Sequence, residues 1–231
     1  MTIIAFTKVK LPYGWLGNMS PYPIKYQGRT WRTTEALFQA MRFNDNEIKE
    51  EIREQKSPMA AKMKAKKHKD KMVITPCSIY DQLNMATCIE LKVEQHDEIR
   101  QQLINTKNAE IIEDCTSRGR RGSNLFWGSI NVDGEWEGAN VLGRMWMEIR
   151  CEERIKSIVE SHDPLFAGIT TYTYPNDRNT AILQVHYGSG LAPGTSDREK
   201  KFNIADDNIE ETIAEWIDDV SWELHEICFS D

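Results

Sequence analysis

The apolar and polar positions of WRTTEALFQAMRF, residues 31–43, follow the spacing of an amphipathic helix. Its apolar side consists of three large residues, Leu37, Phe38 and Met41. Thr33 or Thr34 can cap the N-terminus, because a threonine hydroxyl accepts a hydrogen bond from a free N–H group of the first turn. The pattern continues into the charged segment EIKEEIREQK, and it predicts a helix over residues 34–55.

Three polar side chains share one face of this predicted helix. Glu35, Gln39 and Arg42 lie at positions i, i+4 and i+7, which place them on the same side. A carboxylate, an amide and a guanidinium on one face can hold a polar ligand. Alternatively, Glu35 complements the positive N-terminal end of the helix dipole and Arg42 is solvated. The stretch by itself leaves both interpretations open.

The remaining periodicity predicts mostly helical elements separated by turns that contain glycine and proline. We expect a strand at 24–26 that turns back through 29–31, a second helix from Ser57 and Pro58, a helix over 80–104, a strand at 110–115, a loop over 116–138 and a helix over 141–158. Ser57 suits the N-cap and Pro58 the first helical position, where the missing N–H of proline costs no hydrogen bond.

The pattern changes after about residue 160. Residues 169–174 and 181–187 are rich in Thr, Tyr, Ile and Val and flank PNDRN, which predicts a β-hairpin. A final helix over 206–226 has its apolar residues on one side: Ile209, Ile213, Trp216, Ile217, Val220, Leu224 and Ile227. We therefore predict two parts, residues 1–159 and an α+β extension of residues 160–231, with the apolar face of the final helix packed on the first part.

Composition narrows the class of protein. The 231 residues are 40% hydrophobic and 28% charged, and no apolar run is long enough to span a membrane, which indicates a soluble globular protein. The five cysteines form no CxxC pair and the five histidines are scattered. We therefore predict free thiols in a reducing cytoplasm, no metal site and no cofactor. The net charge of −7 argues against general nucleic-acid binding, although residues 62–71, KMKAKKHKDK, are strongly basic.

The predicted loop contains a second group of candidate residues. SNLFWGS at 123–129 precedes GANVLG at 138–143, which opens a helix. Glycines allow close approach of the backbone to a ligand, Asn140 offers a donor and an acceptor, and Trp127 offers an aromatic face. The alternative is a tight turn with Trp127 in the core. A dinucleotide-binding loop is a weaker interpretation, because no clear strand precedes these glycines.

Five segments taken together resemble the NADAR family of YbiA-like N-glycosidases in their order and spacing. The segments are LGNMSPYPIKYQGRTWRTTEALFQAMRF, SPMAAKMKA, LKVEQHDEIRQQLINTKNAEIIE, FWG and GANVLGRMWMEIR. The match covers residues 15–150, roughly two thirds of the chain, and residues 160–231 have no counterpart in it. The resemblance implies a mainly α-helical domain with small β elements. It also implies hydrolysis of an N-glycosidic bond between ribose and a base.

The resemblance assigns roles to several side chains. Glu35 matches the acidic residue at the start of the family's helix, Asn18 the asparagine of its Ser-Asn-Phe-like turn, and Trp127 its Trp-Gly pair. An N-glycosidic bond breaks through an oxocarbenium-like sugar, so a carboxylate can stabilise the charge or activate water. The predicted catalytic residues are Glu35, Arg42, Asn124 and Trp127. The predicted substrate-binding residues are Asn18, Gln39, Lys62, Gly128, Asn140 and Gly143, with Lys62 on a phosphate.

Three positions depart from the family pattern. Arg42 replaces a lysine, and arginine neither forms a Schiff base nor acts as a base. Asn124 replaces an aspartate and cannot take up a proton, and Cys77 replaces a tryptophan near which Tyr80 lies. These departures argue against the family's activity on riboflavin-pathway intermediates. Glu113 and Asp114 are candidates for a second carboxylate, or they simply end a strand at the surface.

These observations leave three kinds of function to compare. The first is hydrolysis of an N-glycosidic bond in an ADP-ribosyl, NAD-derived or ADP-ribosylated guanine substrate, either a small molecule or modified nucleic acid. The second is a binding module for NAD or ADP-ribose without catalysis, which the replacements Arg42 and Asn124 favour. The third is a nucleic-acid adaptor that uses the basic residues 62–71 and 118–121. An N-glycosidase of riboflavin-pathway intermediates is a further alternative within the enzyme class.

Overall fold

The computed structural model describes residues 2–162, 169–174, 177–185, 198–203 and 208–229. Within these ranges, side chains are described for residues 2–158, 182–183, 199–203 and 208–220. Eight α-helices run along the described chain: α1 Thr34–Ala40, α2 Asn46–Arg53, α3 Pro58–Lys67, α4 Ile79–Gln95, α5 Asp97–Ile104, α6 Asn124–Trp127, α7 Val141–His162 and α8 Ile209–Phe229.

Short strands accompany the helices and form small sheets. The strands are β1 Ile3–Phe6, β2 Ile24–Tyr26, β3 Arg29–Trp31, β4 Glu110–Glu113, β5 Ile130–Val132, β6 Glu135–Glu137, β7 Ile169–Tyr174, β8 Asp177–Val185 and β9 Arg198–Asn203. β1 pairs with β4 in parallel, β2 with β3 and β5 with β6 pair antiparallel, and β7, β8 and β9 form one antiparallel sheet in that order. The predicted class, mainly α-helical with small β elements, is confirmed.

The chain divides by its internal contacts into two compact units, Met1–Met147 and Glu148–Asp231, and the division falls inside α7. The domain boundary predicted at residues 159 and 160 remains a prediction. The first unit contains α1 to α6 and β1 to β6, and its core includes the fully buried side chains of Phe6, Leu16, Phe43 and Trp146.

The prediction of a single helix over residues 34–55 is wrong in one respect, because this segment forms two helices. α1 ends at Ala40, and α2 begins at Asn46 after a break. Asp45 explains the restart, since its carboxylate accepts hydrogen bonds from the N–H groups of Glu47 and Ile48 and so caps α2. At the start of α1, the Thr33 hydroxyl accepts from the N–H of Ala36, so Thr33 is the cap.

The helix predicted over 80–104 is also interrupted, and the interruption lies at His96. The backbone of His96 is extended (φ −137°, ψ 92°), which ends α4 and lets α5 begin at Asp97. The ring of His96 lies 5.2 Å from that of Tyr22, and its Nε2 is 2.8 Å from the Pro23 carbonyl oxygen. These contacts to the N-terminal segment stabilise the extended residue that divides the helical pattern.

The segment 116–138, predicted to be largely loop, contains regular structure. It forms the one-turn helix α6 and the hairpin of β5 and β6, in which Val132 pairs with Glu135. Asp133 and Gly134 turn this hairpin with positive φ angles of 51° and 95°. The loop prediction is wrong for these residues, because Asp-Gly favours the tight turn of a β-hairpin.

The second unit has its own apolar core, which contains the buried residues of α8. Ile209, Ile213, Trp216, Ile217 and Val220 are buried, as the one-sided pattern predicted. They cluster with residues of α7 and of the sheet, namely Cys151, Ile155, Ile158, Leu183 and Phe202.

Some predictions for the C-terminal part lie outside the described residues. They are the residues PN of the hairpin signal, residues 186–187 at the end of its second predicted strand and residues 206–207 at the start of the predicted final helix. The side chains of Leu224 and Ile227 are outside the description as well. β7 and β8 form the predicted hairpin pair, and β9 adds a strand that the sequence pattern did not predict.

Candidate active site

A cavity of about 150 Å³ in the first unit brings together residues from widely separated segments. Its walls are formed by Asn18, Glu35, Phe38, Gln39, Arg42, Lys62, Pro76, Met85, Glu113, Cys115, Arg118, Ser123, Asn124, Trp127 and Leu142. Seven of the ten predicted site residues are in this lining, and Gly128, Asn140 and Gly143 are not. A cavity in which several polar and charged side chains converge suits a polar ligand.

Glu35 enters the cavity from the first turn of α1. Its N–H donates to the Asn18 carbonyl oxygen at 2.9 Å, and the Thr34 hydroxyl donates to the same oxygen at 2.9 Å. The residue is 5% exposed, so its carboxylate is largely withdrawn from solvent. The first turn of a helix favours a negative charge, because the helix dipole is positive there. The segment around Asn18 therefore fixes the position from which this carboxylate faces the cavity.

A continuous chain of hydrogen bonds runs from Glu35 along one face of α1 to α4. Gln39 Nε2 donates to Glu35 Oε1 at 3.0 Å, and Arg42 NH1 donates to Gln39 Oε1 at 3.0 Å. Arg42 then binds Asp81 through two bonds, Nε to Oδ1 at 2.7 Å and NH2 to Oδ2 at 2.8 Å. The predicted shared face of Glu35, Gln39 and Arg42 is therefore present, and the alternative of a solvated Arg42 is wrong.

Asp81 is the one member of this hydrogen-bond network that the sequence analysis did not identify. It is 0% exposed and also accepts a hydrogen bond from the Cys77 N–H at 2.7 Å. The Ser78 hydroxyl caps α4 by accepting from the Asp81 N–H. A Ser-x-x-Asp spacing signals a helix start, but it carries no sign of a partner in α1. Tyr80, the neighbour considered for the role of the family's tryptophan, is 65% exposed and outside the cavity lining.

The cation Lys62 reaches Glu35 from α3. Its Nζ lies 3.6 Å from Glu35 Oε1, and its side chain is about half exposed at 51%. Both side chains that form a hydrogen bond or an ion pair with the Glu35 carboxylate within the described residues, Gln39 and Lys62, do so at Oε1. Oε2 is therefore the oxygen that is left for a water molecule or a ligand. Of the other lysines of this basic run, Lys66, Lys67, Lys69 and Lys71 are exposed, as predicted, and Lys64 Nζ lies 3.1 Å from Glu51 Oε2.

A second carboxylate and a second cation line the cavity at the end of β4. Arg118 NH2 donates to Glu113 Oε1 at 2.9 Å and to the Asp114 carbonyl oxygen at 3.2 Å. Although burial lowers the pKa of Arg118, the charge of Glu113 and its hydrogen bond raise it overall. Of the two candidate carboxylates, Glu113 faces the cavity and Asp114 does not line it.

The thiol of Cys115 also faces the cavity. Burial, and then the negative charge of Glu113, raise its pKa to about 12. Arg118 NH2 lies 3.0 Å from its Sγ. A nucleophilic cysteine needs a thiolate, so this protonated thiol is a wall of the cavity and not a nucleophile at neutral pH.

Trp127 and Asn124 come from the one-turn helix α6. The Trp127 ring is buried and makes edge-to-face contacts with Phe38 at 5.6 Å and Phe126 at 5.0 Å. Trp127 therefore combines both predicted possibilities, because it packs in the core and also lines the cavity. Asn124 Nδ2 donates to the Gly119 carbonyl oxygen at 2.8 Å, which ties the preceding loop to α6.

Three predicted binding residues contact the backbone of β4 and do not line the cavity: Asn140, Gly128 and Gly143. Asn140 Oδ1 accepts from the Glu113 N–H at 3.1 Å, and its Nδ2 donates to the Ile111 carbonyl oxygen at 2.8 Å. A Cβ on Gly143 would lie 2.1 Å from the Ile111 carbonyl oxygen, and one on Gly128 would lie 2.3 Å from that of Glu113. The close backbone approach predicted for these glycines is therefore an approach to β4, which carries Glu113.

Asn18 presents its side chain to the cavity from the segment before β2. Its Nδ2 lies 3.1 Å from Met85 Sδ, and its Oδ1 is buried with no hydrogen-bond partner among the described residues. A buried acceptor without a partner costs free energy unless a ligand or water supplies a donor. This arrangement is compatible with the predicted substrate-binding role of Asn18, which stays a prediction.

No group of three His, Cys, Asp or Glu side chains in the described ranges is arranged to hold a metal ion. None of the described helices combines the length and apolarity that crossing a membrane requires.

Comparison with known proteins gives a consistent result. The model of the NADAR domain matches residues 5–154. N-glycosidase YbiA of Escherichia coli strain K12 and that of Shigella boydii are each 34% identical to this chain over 149 residues, which are 64% of this chain and 87% of those proteins. The NMR structure of the E. coli protein YbiA aligns with a TM-score of 0.58 at 33% identity, over 71% of this chain and 91% of that one. This chain belongs to the NADAR domain family.

Proposed function

We propose that this member of the N-glycosidase family hydrolyses the bond between ribose and a base in an ADP-ribosyl, NAD-derived or ADP-ribosylated guanine substrate. The observation that carries the proposal is the buried carboxylate of Glu35 in a polar cavity, with Oε1 held by Gln39 and Lys62. A fixed carboxylate is the group that this reaction needs, because positive charge develops on the sugar as the bond breaks.

Glu35 has two possible roles in this reaction. Its Oε2 can face the anomeric carbon and stabilise the oxocarbenium-like charge, or it can accept a proton from the attacking water. In both cases the contact between Gln39 and Oε1 fixes the orientation of the carboxylate before the substrate arrives. Preorganised charge of this kind lowers the barrier without reorganisation during the reaction. The N-terminal turn of α1 also favours the anionic form that either role requires.

The remaining charges of the cavity suit a substrate that carries phosphate. Lys62 is half exposed at the cavity and can leave Glu35 for a phosphate oxygen, or bridge the two groups. Arg118 offers a guanidinium to the same space from the other wall. The base can lie against the aromatic wall that Trp127 and Phe38 form. These contacts support a nucleotide-type substrate as the ligand class.

Arg42 has a positioning role in this scheme. Its guanidinium is occupied by Asp81 and Gln39, and it lies 4.3 Å from the centre of the Phe38 ring. With these partners in place, the guanidinium orients the Gln39 amide so that its Nε2 points to Glu35. Arg42 therefore acts through Gln39, and no lysine on α1 is needed for the hydrolysis.

The test is incubation of the full chain with NAD, with ADP-ribose conjugates of small bases and with DNA that carries ADP-ribosylated guanine. Released base and free ADP-ribose are measured by chromatography. We expect turnover of at least one of these substrates, and Glu35→Gln should reduce it by about 100-fold or more, as for loss of a group that acts in acid–base catalysis. Turnover of none of them, or equal turnover by wild type and Glu35→Gln, would contradict the proposal.

One observation favours a second candidate, a module that binds NAD or ADP-ribose without catalysis. Asn124 lines the cavity where the resemblance predicts an aspartate, and its amide is engaged with the Gly119 carbonyl oxygen. If this lost carboxylate is indispensable, the cavity still recognises its ligand but does not hydrolyse it. Calorimetric binding of ADP-ribose with a defined stoichiometry, together with no released base, would identify this function.

A further inference from the structure

Residues 15–18 form a segment in which every carbonyl oxygen is bound by a donor from another part of the chain. Lys92 Nζ binds the Trp15 and Gly17 oxygens, the latter at 3.3 Å, and Trp146 Nε1 donates to the Leu16 oxygen at 3.0 Å. The Asn18 oxygen accepts from the Glu35 N–H and the Thr34 hydroxyl, each at 2.9 Å. The segment thus connects a lysine of α4 to the helix turn that carries Glu35.

Lys92 is the only charged group among the described donors to this segment, and it is 1% exposed. Its third partner is Ser20 Oγ at 2.7 Å, and Ser20 in turn donates to the Gly17 carbonyl oxygen at 2.6 Å. Within the described residues, no carboxylate lies in ion-pair distance of its Nζ. The rings of Tyr22 and Trp146 flank the ammonium at 5.1 and 5.5 Å.

Burying a lysine without a carboxylate is costly, and an apolar residue would fill the same space at lower cost. The three oxygen acceptors explain how the ammonium is accommodated, since together they replace its hydration. They also explain what the ammonium does, because a tetrahedral donor fixes three separate oxygens of one irregular segment at once. Without it, the Trp15 and Gly17 oxygens would lose the donor that ties them to α4. They would keep only local bonds from Ser20, whose hydroxyl reaches both oxygens and whose N–H reaches that of Gly17.

We propose that Lys92 is a positioning residue of the active site, which holds the segment 15–20 so that Asn18 faces the cavity and caps the turn that carries Glu35. Lys92 itself is absent from the cavity lining. The inference rests on the proposed function for its catalytic consequence, but the positioning it describes can be measured without turnover.

The first measurement is amide hydrogen exchange, read at the Glu35 N–H, which donates to the Asn18 carbonyl oxygen. In Lys92→Met, we expect exchange at Glu35 to accelerate by about tenfold or more, because the segment that binds this amide opens more often. Exchange at Leu103 in α5 should change by less than about twofold. Ser20→Ala, which removes one acceptor and keeps the lysine, should give a smaller change in the same direction, and it serves as the second variant if Lys92→Met does not fold.

The second measurement is turnover of the substrate found in the test of function. A displacement of about 1 Å at a reacting group can reduce the rate about 100-fold, so we expect kcat of Lys92→Met to fall at least about tenfold with KM within about threefold. Lys49→Met is the matched control, since Lys49 makes no side-chain hydrogen bond or ion pair in the described part of the chain, and it should leave kcat unchanged.

Two outcomes would overturn the inference. One is a folded Lys92→Met that exchanges the Glu35 amide at the wild-type rate. The other is a kcat for Lys92→Met within about twofold of wild type, which would show that the anchored segment does not act on the chemistry. If the wild-type chain hydrolyses none of the substrates, the proposed function fails, and the exchange experiment still decides whether Lys92 positions Glu35.

Discussion

Arg42 and Asp81 form a buried two-point ion pair that joins the segment directly after α1 to α4. The two N···O distances are 2.7 and 2.8 Å, and the side chains of Arg42 and Asp81 are 10% and 0% exposed. The pair fixes the guanidinium in a plane, and its third contact, to the side-chain oxygen Oε1 of Gln39, orients the Gln39 amide toward Glu35. Asp81, which lies 39 positions after Arg42 in the sequence, is therefore linked through Arg42 and Gln39 to the candidate catalytic carboxylate.

Asp81→Asn tests the energetic weight of this pair. The substitution keeps the shape of the side chain and leaves the charge of Arg42 buried without a counter-ion, which we expect to lower the free energy of unfolding by about 3–5 kcal/mol. The control is Glu137→Gln, which removes one partner of the exposed pair with Arg120 and should cost less than about 1 kcal/mol. Both are measured by urea unfolding, and equal losses in the two variants would contradict the prediction.

Local signals explain why part of the site could be predicted from the sequence. The helical period alone places Glu35, Gln39 and Arg42 on one face, and Thr33 is a recognisable cap. These relationships span at most nine residues, so they depend on backbone geometry that the sequence encodes locally. Likewise, Ser57 and Pro58 begin α3 as predicted, with the Ser57 hydroxyl accepting from the Ala60 N–H.

Other parts depend on tertiary contacts that no local pattern reveals. Asp81 carries only the signal of a helix start, although its partner Arg42 lies in a distant segment of the chain. Asn140 has the donor and acceptor of a ligand-binding side chain, yet both are used by the backbone of β4. A polar residue that satisfies a neighbouring strand and one that binds a ligand look the same in the sequence. Their roles separate only when the position of the strand is known.

Glu35→Gln and Glu113→Gln together test which carboxylate of the cavity acts in the reaction. Glu113 accepts a hydrogen bond from Arg118 that a neutral amide oxygen can still accept, so we expect Glu113→Gln to reduce kcat by about tenfold or less. Glu35→Gln should reduce it by about 100-fold or more, because no other anion takes its place at the start of α1. Equal losses in both variants would indicate that the two carboxylates share the chemistry, and activity of Glu35→Gln within about twofold of wild type would exclude Glu35.

The burial of Lys92 predicts how the free energy of unfolding changes with pH. Burial lowers its pKa to about 7, from the usual value of about 10.5 in the unfolded chain. Between these values the unfolded state binds more protons than the folded state, so the contribution of Lys92 to the free energy of unfolding rises with pH by up to about 1.4 kcal/mol per pH unit.

The measurement that isolates this contribution is a comparison of wild type with Lys92→Met between pH 7 and 9, by urea unfolding at each pH. The difference in unfolding free energy, wild type minus variant, should increase across this range, and below pH 6 it should be constant. Lys49→Met controls for the loss of one positive charge, and its curve should run parallel to that of wild type. A difference that stays level between pH 7 and 9 would show that Lys92 keeps its charge in the folded protein throughout.

Truncation after Glu160 tests the contribution of the C-terminal segment. It removes α8, so Ile155 and Ile158 lose the buried residues that pack against them. Each large apolar side chain contributes about 1.5–3 kcal/mol when it is buried, before conformational entropy is counted. We expect a soluble fragment with a lower melting temperature, measured by differential scanning calorimetry. An unchanged melting temperature would mean that α8 serves a partner instead.

The last prediction concerns whether a covalent intermediate forms. Arginine holds its charge at any working pH and forms no imine with a sugar, and Arg42 is bound by Asp81 and Gln39. We therefore expect borohydride added during turnover to trap no adduct on α1. The nearest amine to Glu35 among the described side chains is Lys62, at 3.6 Å from Oε1, so recovery of a reduced, ribose-linked Lys62 would overturn a mechanism without an imine.

Arg42→Lys supplies the converse experiment. A lysine can keep one of the two bonds to Asp81 but loses the fork, and it cannot hold Asp81 and Gln39 in the same planar arrangement. We expect kcat to fall, because the Gln39 amide is then free to turn away from Glu35, and we expect borohydride still to trap nothing at position 42. Increased turnover together with a trapped adduct on the new lysine would instead show that this fold supports imine chemistry, and that the arginine had removed it. The two results are separated by mass spectrometry of the peptide that contains residue 42.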